Sequence, residues 1–147
     1  MGESNTLDEQ KPVLGGLLYL SSHSPLHRNY RIQYLIDRID WSIANRTYRY
    51  YEINGRPIGF CAWVYSSQKV IDEVMSTGRE FESAELGIDS EIFITEFLAP
   101  FGHTRRIVRD LKDHCFPNAR VVFALRGRVL CGHPDEFRFK KFKFTRS

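Results

Sequence analysis

The chain has 147 residues, of which 42% are hydrophobic and 27% are charged, a composition typical of one folded globular domain rather than of a disordered protein. Its formal net charge of +3 is too small to indicate a nucleic-acid partner, and we expect none. The three cysteines, Cys61, Cys115 and Cys131, lack C-x-x-C spacing, which argues against a disulfide scaffold and against a zinc site.

The N-terminal residues predict a flexible leader. Residues 1–12 are polar and unlike a signal peptide, and residues 13–147 are expected to form a single domain. The apolar run at 13–20 fits either a strand or a first helical turn. No apolar stretch reaches the roughly 18 residues that a membrane span needs, so we expect a cytoplasmic protein.

The next segment predicts a long helix. Ser24 is a favourable N-cap and Pro25 then falls at the first helical position, so a helix from Ser24 to about Asn45 is expected. Its buried face would consist of the apolar residues at helical spacing, which are Ile32, Leu35, Ile36, Ile39 and Ile43.

A β-hairpin follows. Residues 47–53 are rich in tyrosine and β-branched residues, Asn54-Gly55 is the preferred type I′ turn pair, and residues 56–65 are again apolar. Residues 66–75 have a weaker helical pattern.

The C-terminal half predicts strands around a second helix. Strands are expected at 92–99 and 119–125, with a helix between them from Thr104 to about Cys115. A turn at 126–128 is also expected, and the slip of the alternation at Lys140-Lys141 predicts either a β-bulge or two short edge segments. These elements predict an α/β (α+β) sandwich with a mostly antiparallel, mixed sheet flanked by helices.

His27 is the first candidate for chemistry. At the third position of a helix capped by Ser24, the helix dipole favours the neutral imidazole that a general base needs. The alternative is a histidine that caps its own helix or packs on a neighbour. A metal site shared with His23 is not expected, because Pro25 separates the two residues and no third ligand is indicated.

Glu96 is the second candidate. Ile94 and Leu98 are expected on its side of the strand and Thr95 and Phe97 on the other, so this carboxylate would lie among apolar neighbours and need a partner such as His27. The alternative is an edge-strand glutamate in water.

The segment after this strand suits an anionic ligand. Gly102 and Thr104 precede a helix start and Arg105 follows, an arrangement that fits a phosphate or a phosphopantetheine arm. Between residues 120 and 147, eight basic residues stand against two acidic ones, which favours an acidic partner or a solvated basic surface about equally.

Two of these motifs together are similar to those of a known family. "SPLHRNY" at 24–30 and "FITEFLAPFG" at 93–102 resemble the S-P-[LM]-H-R-[ND]-W and W-[FI]-I-D-W-I-A-P-F segments of the toxin-activating lysine acyltransferases of RTX toxin operons. "RPIGFCAWVYSS" at 56–67 resembles a third segment of that family. The resemblance runs from about Leu14 to Gly102.

The resemblance implies a fold like that of GCN5-type N-acyltransferases and transfer of an acyl group to a protein. The family's catalytic histidine and motif serine correspond to His27 and Ser24, and its catalytic aspartate to Glu96. Tyr30 and Phe97 stand where the family has tryptophan. Arg28 and Asn29, within the first motif, are expected to bind substrate together with the residues around Gly102.

Glu96, the short chain and the basic segment also resemble a divergent branch of the family. Proteins of that branch help to attach a glycosylated enterobactin-type siderophore to the C-terminus of a microcin, with a second subunit. We therefore expect siderophore attachment to a microcin precursor first, fatty-acyl transfer from acyl carrier protein to a toxin lysine second, and a non-catalytic binding subunit third. The acyl or siderophore donor would enter as a co-substrate, with no permanently bound cofactor, no metal, and the need for ATP left open. A second maturation subunit or a homodimer is the expected assembly.

Overall fold

The computed structural model describes the backbone of residues 2–130 and 133–145 and the side chains of residues 10–125. The helices within these residues are α1 (Gly2–Ser22), α2 (Ile32–Asn45), α3 (Gln68–Thr77) and α4 (Thr104–Asp110). The strands are β1 (Tyr48–Ile53), β2 (Arg56–Ser66), β3 (Glu91–Leu98), β4 (Val121–Leu130) and β5 (His133–Thr145).

The described strands form one sheet in the order β1-β2-β3-β4-β5. All neighbours are antiparallel except β3 and β4, which run parallel and pair at two positions, Phe93 with Phe123 and Ile94 with Ala124. The predicted α+β fold with a mostly antiparallel, mixed sheet is therefore confirmed. The arrangement is consistent with a GCN5-type acyltransferase fold.

Helices cover both faces of the sheet. On one face α1 and α2 pack against β2 and β3 through a cluster that includes Leu17, Leu20, Ile39, Phe60 and Leu98, and α3 packs beside them. On the other face, residues of α4 and of the turn after it pack on the opposite side chains of β2 to β4 in a second cluster. The result is a three-layer helix–sheet–helix domain.

The hairpin prediction is confirmed. β1 and β2 are joined by Asn54 and Gly55, whose φ angles of 50° and 78° are the positive values that a type I′ turn requires. Asparagine and glycine adopt this left-handed backbone at low cost, so these two residues fix the hairpin locally.

Helix α1 resolves the ambiguity of residues 13–20, which are helical. It begins at Gly2 and continues across Pro12, so the predicted boundary at residue 12 does not coincide with a change in secondary structure. The flexibility of the leader stays a prediction. Among residues 2–130 and 133–145, none of the helices combines the length and the hydrophobicity of a membrane span.

The predicted helix from Ser24 to Asn45 is wrong at its start. Residues 27–29 form a short 3-10 turn, Tyr30 and Arg31 have extended backbone (ψ 139° and 143°), and α2 begins only at Ile32. The extended pair interrupts the helical hydrogen bonds and lets the turn leave the helix axis. As a result Ile32 and Ile36 are exposed, and the buried residues of α2 are Leu35, Ile39, Ser42 and Ile43.

Two smaller predictions in the C-terminal half are also corrected. The strand β4 runs through residues 126–128, where a turn was expected, because β5 pairs with it along its whole length. The register is regular at Lys140 and Lys141 and shifts instead between Val129 and Leu130. The second helix begins at Thr104 as expected, but His103 rather than Thr104 precedes its first turn, and after Asp110 it continues as a wider π turn to Cys115.

A glycine on β2 sets how closely α4 approaches the sheet. A Cβ atom at Gly59 would overlap Ile107 Cδ1, and Ile107 is fully buried. Because the buried side chain has little room to move, we expect Gly59→Ala to lower the free energy of unfolding by about 1–3 kcal/mol in urea denaturation. Gly15→Ala on α1 is the control: nothing lies within 4 Å of its Cβ position, so alanine should add up to about 1 kcal/mol. Equal losses in both variants would contradict this account.

Candidate active site

His27 and Glu96 meet inside the protein, although 69 residues separate them in the sequence. His27 Nε2 lies 2.6 Å from Glu96 Oε2, and the two side chains are 6% and 3% exposed. His27 comes from the 3-10 turn before α2 and Glu96 from the middle of β3. The structure therefore brings together the two residues that the motifs singled out.

A β-bulge decides which way Glu96 points. Ala62 on β2 pairs with Glu96 and Trp63 with Ile94, so Thr95 is an extra residue on β3. Its hydroxyl donates to Ala62 O at 3.2 Å. The bulge reverses the alternation of the strand: Ile94 lies in the cluster that α4 covers, whereas Leu98 lies in the cluster below α1 and α2. The expectation that Ile94 shares the side of Glu96 is therefore wrong, and the one for Leu98 is confirmed.

Ser24 holds the other edge of the imidazole. Its Oγ lies 2.6 Å from His27 Nδ1 and accepts a long hydrogen bond, 3.4 Å, from the His27 backbone N–H. The prediction that Ser24 is the N-cap of a long helix is wrong, because Arg31 is the N-cap of α2 and Leu26 precedes the three-residue 3-10 turn. Ser24 instead contacts the first residue of that turn, His27. The argument from a helix dipole at His27 does not apply, because a single 3-10 turn has no long array of aligned peptides.

Arg38 is the site residue that the sequence analysis missed. Its Nε donates to Glu96 Oε1, its Nη2 to Thr95 O at 2.6 Å, and its Nη1 to Glu80 Oε1 at 2.6 Å. A sequence signal exists, because Arg38 lies three residues after buried Leu35 and next to buried Ile39. An arginine at the border of a buried helical face needs an acidic partner inside the protein.

The contacts of Glu96 keep it ionised. Burial alone would raise the pKa of this carboxyl, but the hydrogen bond from His27 and the charge and hydrogen bond of Arg38 outweigh burial, so the pKa is lowered. For Arg38, burial alone would lower the pKa, but the negative charges of Glu96 and Glu80 raise it by more. The net pKa is raised, so the guanidinium stays charged. Burial and the negative charge of Glu96 raise the pKa of Tyr30, which remains a neutral phenol.

A cavity of about 640 Å³ adjoins this pair, within the range typical of small-molecule sites. Ser24, His27, Arg38 and Glu96 line its polar part. Its apolar lining includes residues of β3, β4 and the segment around α4, such as Phe97, Val108 and Leu111, and also Val74 of α3 and Phe81. The cavity lies where β3 and β4 stop pairing, so the short parallel pairing leaves room for a ligand beside His27.

The remaining predicted binding residues lie at the surface. Thr104 lines the cavity, whereas Arg28, Asn29, Gly102 and Arg105 are exposed and are not among the described lining residues. Gly102 has a φ of 89°, a left-handed conformation that suits glycine. The binding roles of these residues stay predictions. Most of the basic segment after residue 120 lies outside the described side chains.

His23 is separate from the site. Its Nδ1 lies 2.9 Å from Tyr19 O, and its ring packs against Tyr19 and Phe101. The two histidines therefore have different partners. Among the residues that the structure describes, no group of three or more histidine, cysteine or acidic side chains is placed to hold a metal ion.

Comparison with known proteins assigns the chain to a family. Residues 6–136 match the family model HlyC, described as the RTX toxin acyltransferase family. The chain is 38% identical over 127 residues to the lysine-acyltransferase RtxC of Vibrio cholerae, covering 84% of this chain and 83% of that protein. It is 32% identical over 116 residues to an uncharacterized protein of Synechocystis, covering 78% of each.

More distant relatives agree with this assignment. The leukotoxin-activating lysine-acyltransferase LktC of a Pasteurella haemolytica-like species is 27% identical over 106 residues, covering 69% of this chain and 61% of that protein. The resemblance expected from the motifs is thus confirmed over most of the chain. This chain belongs to the RTX toxin acyltransferase family and is an acyltransferase.

Proposed function

We propose that this chain transfers an acyl group from a thioester donor to a lysine side chain of a protein toxin, with His27 as general base and Glu96 as its partner. The observation that carries the proposal is the buried His27–Glu96 pair at the wall of the cavity. The names of two relatives, a lysine-acyltransferase and a leukotoxin-activating lysine-acyltransferase, support a lysine acceptor on a toxin.

The hydrogen bonds suggest how His27 would act. Ionised Glu96 can only accept, so Nε2 of a neutral imidazole carries the proton and Nδ1 presents its lone pair. The Ser24 hydroxyl, 2.6 Å from Nδ1, donates into that lone pair from the side of the cavity. An acceptor amine that displaces this hydroxyl would reach Nδ1 directly.

The reaction then needs one proton acceptor and one leaving group. The lysine nitrogen attacks the acyl carbonyl carbon, the carbon–sulfur bond of the thioester breaks, and the proton lost by the nitrogen moves to His27 Nδ1. From there it passes to the leaving thiolate, which regenerates the neutral imidazole. Glu96 stabilises the transient imidazolium from the opposite side of the ring.

Ser24→Ala tests the role of the hydroxyl. Because the hydroxyl orients the ring in the free enzyme and is displaced by the acceptor, we expect about a tenfold loss of kcat/KM, which corresponds to about 1.4 kcal/mol, the size of one hydrogen bond. Ser24→Thr keeps a hydroxyl and should retain more activity. A loss in Ser24→Ala as large as that in His27→Ala would instead make the hydroxyl an obligatory part of the proton path.

The function itself is tested by the mass of the acceptor. The chain is co-expressed with an RTX toxin precursor and, separately, with a microcin precursor, and each product is analysed by intact mass and peptide mapping. We expect the mass of one acyl chain on a lysine of the toxin precursor. The addition should also be reproduced in vitro with a palmitoyl thioester of acyl carrier protein as the donor.

Attachment of a siderophore to a microcin is the finer reading that Glu96 and the basic segment favoured. It predicts a catecholate and sugar mass on the C-terminus of the microcin precursor and an unchanged toxin precursor. The non-catalytic hypothesis predicts that His27→Ala forms the modified acceptor as well as wild type does, while the complex still needs this chain for its assembly. That result would support a binding subunit and overturn the catalytic role of His27.

A further inference from the structure

Arg38 contacts both the carboxylate of Glu96 and the backbone of the bulge that directs it. The oxygens of Glu96 are divided between two partners, with Oε2 facing His27 and Oε1 facing Arg38. The same guanidinium donates to Thr95 O, the carbonyl of the bulged residue that turns Glu96 towards His27. Arg38 is 20% exposed, and Glu96 is 3% exposed. One side chain therefore holds both the carboxylate and the strand irregularity that aims it.

The charges of these groups bear on the protonation of His27. A buried carboxylate next to an imidazole favours the imidazolium, because the extra proton neutralises the negative charge. A guanidinium is always protonated and neutralises that charge permanently. With Arg38 in place, the site needs no second positive charge on the imidazole.

We propose that Arg38 is a positioning residue that neutralises and aligns Glu96, so that His27 stays a neutral base with Nδ1 directed at Ser24 and the cavity. The inference rests on the proposed role of His27 as the base. It adds a residue on which that base depends and that none of the three family-like segments contains.

Other charged or titratable groups face this cluster and do not replace Arg38. Glu80 is 57% exposed and contacts the outer side of the guanidinium, where solvent screens it. Tyr34 OH accepts from Arg38 Nη1 at 3.3 Å. Among the residues whose side chains are described, Tyr30 before α2 and the buried thiol of Cys61 on β2 also interact with Glu96. Burial raises the pKa values of both groups, so they are neutral at pH 7.

The test measures the protonation of the ring itself. The full chain is labelled with ¹⁵N-histidine, and the His27 signals are assigned by their loss in His27→Gln. The ring is then titrated by NMR in wild type, Arg38→Met and Arg38→Lys. In wild type we expect the tautomer with the proton on Nε2 and with Nδ1 as the acceptor of the Ser24 hydroxyl. In Arg38→Met the titration midpoint should move to higher pH by about one unit or more, because Glu96 is left without its permanent counter-charge.

The pH dependence of activity gives a second readout, which should shift in the same direction as the ring titration. A base must be deprotonated, so the acidic limb of the kcat–pH profile should move to higher pH in Arg38→Met. Arg38→Lys keeps the charge but loses the forked geometry, so its limb should stay near that of wild type while kcat falls. Arg49→Gln is the matched control, because Arg49 also pairs with a carboxylate, Asp110, but outside the site. It should leave both readouts unchanged.

Several results would overturn the inference. A doubly protonated His27 ring at pH 7 in wild type would do so without any variant. A folded Arg38→Met variant whose His27 ring has the titration midpoint and the tautomer of wild type would do so as well. If Arg38→Met does not fold, Arg38→Gln takes its place in this comparison. The same shift in Glu80→Gln would assign the effect to the outer contact. The ring titration needs no substrate, so it stands apart from the proposed function, which fails if His27→Ala keeps full activity.

Discussion

Replacement of His27 by alanine is expected to reduce transfer of the acyl group to the toxin precursor by at least about a hundredfold. The loss follows from removal of the base, since a positioned general base contributes roughly 10²–10⁴-fold. The readout is the fraction of acceptor that carries the acyl mass after a fixed time, with equal amounts of folded enzyme. The ring is 6% exposed and hydrogen-bonded to Ser24 and Glu96, so its loss could also affect folding. Circular dichroism and thermal unfolding must therefore show that the variant is folded.

His23→Ala is the control for this experiment. His23 lies four residues earlier in the same segment, but it is exposed and its ring contacts Tyr19 and Phe101. We expect it to retain most of the wild-type activity. Equal activity of His27→Ala and wild type, or equal losses in the two alanine variants, would remove His27 from the role proposed for it.

Substitution of Glu96 is expected to affect both activity and stability. Glu96→Gln keeps the size of the side chain but removes its charge, which leaves Arg38 partly buried without its counter-ion. Breaking a buried ion pair in this way typically costs 3–5 kcal/mol, and solvent at the outer side of Arg38 places the expected loss near the lower value, about 3 kcal/mol. Acyl transfer should fall by about a hundredfold, because His27 loses the group that orients it.

Glu96→Asp separates charge from reach. The aspartate keeps the negative charge but is one methylene shorter, so it cannot reach His27 Nε2 and Arg38 Nε together. We expect activity between those of wild type and Glu96→Gln, and stability closer to that of wild type. Activity in Glu96→Gln equal to wild type would show that the carboxylate is not needed.

The pH dependence of the free energy of unfolding should also report the ionisation of Glu96. The pKa of Glu96 lies below its ordinary value of 4.5 because contacts with His27 and Arg38 outweigh the opposing effect of burial. A carboxyl with a lowered pKa stabilises the fold above its ordinary pKa, and this contribution is lost as the pH falls through the lower value of the folded state. The free energy of unfolding of wild type should therefore fall below about pH 4.5, and Glu96→Gln should lose that part of the slope.

Local patterns were sufficient for several elements of this protein. The hairpin needs only a tyrosine-rich strand, an Asn54-Gly55 turn and an apolar strand, because the turn residues set the register by their own backbone preference. The serine before the 3-10 turn, the histidine three residues later and the glutamate within β3 could also be selected from short motifs. The family could be inferred in the same way, since its two main motifs occur in order along the chain.

The start of α2 shows where local patterns failed. Ser24 and Pro25 suit a helix start, and the predicted helix extended from them without a break. Two extended residues, Tyr30 and Arg31, interrupt it, and this break places the His27 ring against β3 rather than along the axis of α2. Helical spacing cannot reveal such a break, because either arrangement leaves Leu35, Ile39 and Ile43 buried.

The site depended on contacts between residues that are distant in sequence. Strand periodicity correctly predicted that Leu98 lies on the same face as Glu96, but it wrongly placed Ile94 on that face. The error arises because the bulge at Thr95 exists only through pairing with β2. Arg38 became a partner of Glu96 only when α2 packed across the sheet. Composition and motifs are read along the chain, where propensity and spacing act, and they selected the fold class, the family and the His27–Glu96 candidates. The direction of Glu96, its link to Arg38 and the cavity beside them arise from packing across 57 to 69 residues of sequence, and only the tertiary structure could decide them.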